Sequence, residues 1–583
     1  MVDRNLFLAL ALSLLVLTLW GYLQGDSPHL LAGSPEVAQQ AESPTTEPAE
    51  KRIEKTTTPS VPPSSVLPAL PKPPAARAEA GSGAAEQTVE FENSLYHATL
   101  SSRGAALRRW ELMQFFDAQK PGKPRIVLTT GEAEGPGSLG MPFRELGAGD
   151  WATAVFDVSR PAPDTVVFTR TLDGISVRKT FVFDPSNYLV TLRIQITNGS
   201  AAPIEPAFET IWPEHSTTQQ DFTEYSLIAF QDGSLHKQLV TAAGSAGFFG
   251  SMLSKGPPTD PVYVGNVEWA GAQSRYFLAA MLPDLARDAS TRFVTLVAGA
   301  AAQTALYFQP ISIPPGQSVE REIRVYIGPK QGALLEATGS NLDRSIDLGY
   351  SWMTPLTRLF VWLLRALYAL IPNYGVAIIL LTILVRVVTA PLTARQMRSM
   401  KRMQGLQPRI KALQEKYADD RQQQSAEMMK IYKESGVNPL GGCLPILLQF
   451  PVFVGLYYAL QSSIELRQAP FFGWIQDLSA PETLFTIPGI DLPVRLLPVI
   501  MGGSMVLQQK LSPQPGADPA QQRMMMTIMP VMFTVLFYQF PSGLVLYWLV
   551  SNLLASGHQY WLTRTPATAV EPVAPASRER NKR

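Results

Sequence analysis

Three patterns of apolar and polar positions follow one another along the chain. Leu6 to Leu23 is an apolar run of 18 residues behind Asp3 and Arg4, close to the ~20 that cross a bilayer. It ends Trp20-Gly21-Tyr22-Leu23, without the small-x-small site of a removed signal peptide, and so predicts an uncleaved anchor over 1–23. From about Val89 to Gly328 the period is two. Tyr188, Val190, Leu192, Ile194 and Ile196 alternate with Leu189, Thr191, Arg193, Gln195 and Thr197, and Ile323, Val325 and Ile327 alternate with Arg324 and Tyr326. Asp173-Gly174 between two such runs is a hairpin signal. Many short strands separated by turn residues predict a large antiparallel sandwich. After Asp347 the chain becomes helical and mostly apolar. Spans are predicted at Gly375–Leu392, Leu444–Ile464, Val494–Leu511, Met524–Phe540 and Leu544–Leu562. With the anchor these make six.

Two connecting segments have patterns of their own. Gln24 to Gln87 contains no aromatic residue and is dominated by Pro, Ala, Ser, Thr and Glu. It cannot bury enough apolar surface to offset its ordering entropy, and reads as a disordered Pro/Ala-rich linker. From Asp347 to Leu370, Asp347, Ser351, Thr354, Arg358 and Arg365 recur on one helical face, with Trp352, Leu356, Phe360, Leu363 and Leu367 opposite. That pattern fits a helix lying in the membrane interface or one packed on protein.

Charge sets the orientation. Thr393 to Val437 carries ten Lys/Arg and five Asp/Glu, and the tail after Leu562 carries five Lys/Arg and two Asp/Glu. Basic loops stay in the cytoplasm, so six spans place both termini inside and export the β-rich domain. The expected division is an anchor (1–23), a linker (24–87), an exported domain (88–345), an interfacial helix (346–371), a membrane core (372–562) with a cytoplasmic hairpin (393–438), and a basic tail (563–583).

Composition agrees with partial burial in lipid: of 583 residues 17% are charged and 46% hydrophobic, with a net charge of +1. Cys443 is the single cysteine, which excludes intramolecular disulfides and Cys-based metal sites. The five histidines show no His-x-x-x-His pair, no phosphate-binding Gly-rich loop is encoded, and no Gly-x-Ser-x-Gly elbow occurs. No cofactor, metal or nucleotide is expected, and no catalytic role.

Arg386 is the sharpest feature. It stands inside the apolar run 375–388, and the next charge, Arg395, lies nine residues on, roughly 13 Å along a helix. Such an arginine either snorkels to the headgroups or faces a hydrated cavity within the bundle. The other spans offer polar groups without an acid: Gln449 and Gln461; Ser504, Gln508 and Gln509; Thr527 and Thr534; Ser551, Asn552 and Ser556. Each suits a helix–helix hydrogen bond. Without buried carboxylates a proton relay is not encoded, whereas an arginine can attract an anion or an acidic peptide. In the basic segment Met397, Met400, Met403, Leu406, Ile410, Leu413 and Tyr417 follow helical spacing, Asp419-Asp420 supplies a turn, and Met428 and Met429 fall on the return helix. The methionines form either the seam of this hairpin or a surface for varied apolar partners. Its arginines and lysines suit lipid headgroups or ribosomal RNA.

The membrane half carries longer strings. Asn438-Pro439-Leu440-Gly441-Gly442-Cys443-Leu444-Pro445, Gln449-Phe450-Pro451, Glu465-Leu466-Arg467-Gln468-Ala469-Pro470-Phe471 and Phe540-Pro541-Ser542-Gly543-Leu544-Val545-Leu546-Tyr547-Trp548 closely resemble the YidC membrane protein insertase family (YidC/Oxa/Alb). The resemblance implies a polytopic α-helical protein of the bacterial inner membrane. Five helices would enclose a hydrophilic groove open to the cytoplasm and the lipid, and the exported part would be a periplasmic β-supersandwich like that of sugar mutarotases. It implies a groove in which Arg386 sits with Thr382 beside it and Trp548 on the last span, where many relatives carry Tyr; of the polar span residues, Gln449, Gln508, Ser551 and Asn552 are expected to line the same groove. It implies client contact through the hairpin at Met397, Met400, Met403, Met428 and Met429. The implied partners are nascent membrane protein clients, the Sec translocon, the ribosome (through hairpin and tail) and membrane lipids. Two rival readings stay open on the residues themselves. One is a saccharide-binding or mutarotase-like module on a membrane anchor, with His215, His236, Glu214 and Glu268 as candidate acid–base groups. The other is an anion carrier using Arg386, against which stand the lack of an evident inverted repeat and the basic hairpin.

Overall fold

The structure is a computed structural model that describes residues 85–117, 122–129, 136–146, 151–215, 225–240, 260–297, 301–417, 420–435, 444–489, 492–511 and 519–564. The predicted anchor, nearly all of the linker and tail, and the string Asn438 to Cys443 lie outside them.

Residues 85–330 form antiparallel sheets. The largest has nine strands in the order Ser234–Leu239, Ser226–Gln231, Val267–Gln273, Phe277–Pro283, Ser318–Pro329, Leu189–Asn198, Ile175–Phe183, Thr165–Leu172, Asp157–Ala162. A four-stranded sheet runs Val262–Tyr263, Ala289–Val297, Ala301–Phe308, Thr210–His215, and a second runs Thr88–Glu92, Tyr96–Ser101, Ala106–Phe116, Arg125–Val127. The alternation read from the sequence is the alternation of burial. Val190, Leu192, Ile194 and Ile196 are buried, and Arg193 turns outward to pair with Glu322 at 2.9 Å. The Asp173-Gly174 turn joins paired strands with Leu172 opposite Ile175, and both turn residues have positive φ (51° and 79°). That is the geometry a two-residue hairpin loop requires. Trp110, Trp151, Trp212 and Trp269 are fully buried in the apolar core of this region, where each ring removes a large apolar area from water.

The helices are α1 (Gly332–Thr338), α2 (Thr354–Leu370), α3 (Tyr374–Gly405), α4 (Gln407–Lys416), α5 (Arg421–Glu434), α6 (Leu444–Ser462), α7 (Leu496–Leu511), α8 (Pro519–Phe537) and α9 (Ser542–Arg564). The predicted amphipathic helix is shorter than its sequence pattern. Asp347 and Ser351 precede it, because Gly349 turns the chain at φ 82° and Pro355 lies in the first turn. α2 buries Thr357, Phe360 and Leu364 against α3 and α6, with Phe360 packed over Gly455. Trp352 and Trp362 stay about two-thirds exposed (64% and 63%). Asn373 caps α3 by accepting the Val376 amide at 3.0 Å.

α3 has 32 residues and so extends about 48 Å, well beyond a hydrocarbon core of about 30 Å. Its stretch Tyr374–Ala394 is long and apolar enough to cross a membrane. The Met-bearing helix of the hairpin is therefore a continuation of the first core span as far as Gly405. The chain breaks there because Gly405 is followed by Pro408 in the first turn of the next helix. Asp420 caps α5 by accepting the Gln423 amide at 2.9 Å, and α4 packs on α5. α9 packs along α7 and α3, and α7 along α8.

Candidate functional site

The site is built where α3 meets α9. α3 is apolar all round in this region, and Ile383, Leu384, Val387 and Val388 are exposed on one side of it. Arg386 turns away from that side toward α9. Its Nε donates to Ser551 Oγ at 3.1 Å and its Nη2 to the same oxygen at 2.5 Å. Among the described residues no carboxylate pairs with it, and its electrostatic neighbour is the Tyr547 hydroxyl. Thr382 lies one turn earlier on α3, fully buried, with its hydroxyl donating to the Ile378 carbonyl at 2.6 Å. A cation held only by neutral groups retains most of its attraction for an anion, since a charge-assisted bond is roughly twice as strong as a neutral one.

Polar side chains continue along α9. Tyr547, buried and one turn before Ser551, accepts from Gln449 Nε2 of α6 at 2.6 Å. Asn552 Nδ2 donates to Ser504 Oγ of α7 at 3.1 Å, with both residues buried, and Gln508 lies half-buried one turn beyond Ser504. Gln559 Nε2 donates to the Leu511 carbonyl. In water each bond contributes about 1 kcal/mol. In hydrocarbon their importance is that the side-chain amides of Gln449, Asn552 and Gln559 each have a partner.

Of the expected groove residues, Arg386, Gln449, Ser551 and Asn552 thus make bonds between α9 and α3, α6 or α7. Trp548 makes aromatic contacts with α6 and α8. Its ring packs edge-on to Phe453 (centroids 5.0 Å apart) and tilted against Phe537 (5.2 Å) and Phe533 (5.9 Å). Tyr547 was not singled out by sequence; its spacing of four from Ser551 is the signal that places both on one helical face. In the hairpin Met403 is buried, Met397 and Met428 are half-buried, and Met429 is exposed, while the side chain of Met400 lies outside the described set.

The rival acid–base set is engaged otherwise. His236 packs tilted against Tyr263 (centroids 4.2 Å apart), Glu268 accepts from Asn341 Nδ2 at 2.9 Å, and the side chain of His215 is outside the described set.

The comparisons with known proteins decide the family. The family described as YidC periplasmic domain matches residues 88–363, and the family described as 60Kd inner membrane protein matches residues 366–569. The chain is 37% identical over 496 residues to the membrane protein insertase YidC of Pelobacter propionicus, covering 82% of this chain and 87% of that protein. The chain belongs to the YidC family of membrane protein insertases. The YidC protein of Oleidesulfovibrio alaskensis is 34% identical over 585 residues, covering 97% of this chain and all of that protein. A solved YidC structure, described as an active insertase with its first transmembrane domain resolved, is 20% identical with a TM-score of 0.36, over 82% of this chain and 93% of that one. YidC membership fits a chain whose β-rich region and apolar helices fall on the two matched segments.

Proposed function

We propose that this chain inserts membrane proteins by receiving the polar tail of a client in a groove around Arg386 and releasing the client's apolar helix into lipid. The observation that carries this reading is an arginine inside an apolar helix whose resting partner is a neutral hydroxyl, at the head of a line of buried polar side chains. An acidic or polar tail replaces Ser551 at the guanidinium, and the groove takes the place of water along part of the path through hydrocarbon. The client's apolar segment then partitions into the bilayer, a favourable step of roughly 0.3–0.6 kcal/mol per central Leu or Ile. No nucleotide is consumed.

In this reading the protein spans the inner membrane six times. Both termini are cytoplasmic, and a periplasmic β-supersandwich joins the first span to a five-helix core. Thr382, Gln449, Gln508, Ser551, Asn552 and Trp548 line or support the groove with Arg386. Met397, Met400, Met403, Met428 and Met429 of the hairpin offer adaptable apolar contact to arriving clients. The Sec translocon is a partner in the membrane, α2 lies among the headgroups, and the ribosome meets the hairpin and the basic tail. A photo-reactive residue at Gln508 or Ser551 should capture a client tail stalled during insertion. Capture only from Val387 or Val388, with none from those two positions, would contradict the groove.

A further inference from the structure

Between α6 and α7 the chain folds into a compact cap. Asp477 organises it: one carboxylate oxygen accepts the amides of Gln468 (3.0 Å) and Ser479 (2.8 Å) and the Ser479 hydroxyl (2.7 Å). The Leu478 amide donates to the Ala469 carbonyl at 3.0 Å and the Phe471 amide to that of Ile475 at 2.9 Å. One side of this cap is seated on the helix starts. The amides of Ser542 and Gly543, which open α9, donate to the carbonyls of Ala480 (2.8 Å) and Leu478 (2.9 Å). Phe471 packs so closely on the start of α3 that a Cβ at Gly375 would lie 2.0 Å from its ring.

The other side of the cap reaches the β-rich domain. Arg467 and Gln468 both donate to the carbonyl of Phe116, the last residue of strand Ala106–Phe116. The Arg467 guanidinium stands over the Phe277 ring at 5.5 Å, with Asp477, Tyr276 and Asp117 as electrostatic neighbours. Ile464 is buried as part of the domain's own apolar core, and Glu465 pairs with Arg365 of α2 at 2.9 Å. Gln468 holds φ at +58°, a left-handed conformation that persists in a non-glycine residue only where surrounding contacts over-determine it. Two adjacent residues aimed at one carbonyl of a distant strand supply such contacts.

We propose that the cap is a latch: Arg467 and Gln468 fasten it to the β-rich domain, so that the position of the domain governs whether the cap can lift from the starts of α3 and α9. The fastening is independent of the insertase reading; that the cap closes the exported mouth of the groove rests on it. Hydrogen exchange of the full chain in lipid nanodiscs reads the fastening directly. With Arg467→Met, the amides of Phe471 and Leu478 should exchange on the order of 10-fold faster, while those of strand Leu189–Asn198 stay unchanged. With Gln468→Ala, which removes one donor of the two, about 3-fold is expected. Cap exchange at the wild-type rate in both variants would overturn the latch. If Arg467→Met also accelerated the strand, the domain itself would have loosened, and Gln468→Ala alone would decide. Insertion tests the gating: Arg467→Met should speed clients with long hydrophilic tails relative to short-tailed ones by about 3-fold. Equal effects on both, with the cap measurably loosened, would overturn the gating and leave the insertase reading intact.

Discussion

The guanidinium of Arg386 directs two N–H groups at the single hydroxyl oxygen of Ser551, 165 residues further along the chain. A hydroxyl oxygen is a modest acceptor, so the pair holds the arginine in place without neutralising it. A carboxylate arriving from a client makes a stronger, bidentate bond with the same donors.

Removing the hydroxyl therefore separates holding from loading. Ser551→Ala should lower the stability of the protein by about 1.5–3 kcal/mol, the range for a bond to a charged group. Insertion should stay within about 3-fold of wild type, because the charge remains and 1.4 kcal/mol corresponds to tenfold. Thermal melting and insertion measured on the same preparation check both halves. A loss of insertion as deep as that of an Arg386 variant would assign Ser551 a direct role with clients.

Tyr547 and Trp548 are neighbours in sequence with different work. Tyr547→Phe takes the acceptor from the half-buried Gln449 side-chain amide and should cost about 1 kcal/mol. Trp548→Tyr trims an aromatic cluster of Phe453, Phe533 and Phe537 and leaves the Gln449–Tyr547 bond in place. Protection of Gln449 from hydrogen exchange should fall in the first variant and hold in the second.

Gly502 of α7 faces α8 so closely that a Cβ would lie 2.1 Å from Thr534 Oγ1. Gly502→Val should push the two helices apart at a cost of about 1–3 kcal/mol. Gly503, beside it, has open space where its Cβ would point, so Gly503→Ala should melt within about 0.5 kcal/mol of wild type.

The β-rich domain carries a pH dependence of its own. Burial lowers the Lys179 ammonium from 10.5 to about 7, and its acceptors are the carbonyls of Leu139 (2.7 Å) and Gly104 (3.3 Å). Lys330 is lowered to about 7 as well, by burial first and then by Lys237. Between these values and 10.5 the unfolded chain holds the protons that the folded chain has released, so stability rises with pH across that window. The expected slope is on the order of 1 kcal/mol per pH unit for each lysine. Denaturation of the full chain followed by tryptophan fluorescence from about pH 7 to pH 9 should show the rise, and Lys179→Met should remove about half of it. A flat or falling profile in the wild type would contradict this.

What was legible in the sequence was local. Period two exposed the strand faces at Leu189–Asn198, Asp173-Gly174 marked the hairpin of Thr165–Leu172 with Ile175–Phe183, and a lone charge in an apolar run marked Arg386. What was not legible depends on partners brought from far away. Ser551 is expected in the groove from the sequence, but only the crossing of α3 with α9 makes it, among several hydroxyls, the partner of Arg386. Tyr547 passed unnoticed because an aromatic in an apolar helix has no distinctive pattern until Gln449 meets it. The sequence predicts a span ending at Leu392 and a hairpin starting at 393, whereas α3 runs on to Gly405 before α4 (Gln407–Lys416) begins, since helical spacing carries no mark of where one helix joins another. Gly405 and Pro408 were the available signal.

The most direct test of the account uses proteoliposomes containing this protein alone and a single-span client with an acidic exported tail, scored by protection from external protease. Wild-type protein should protect the client above empty liposomes. Arg386→Ala should reduce protection at least about tenfold and Arg386→Glu further, since a like charge repels the tail. Wild-type levels of protection in both variants, with each shown to be folded and correctly oriented, would contradict charge-guided loading of the groove.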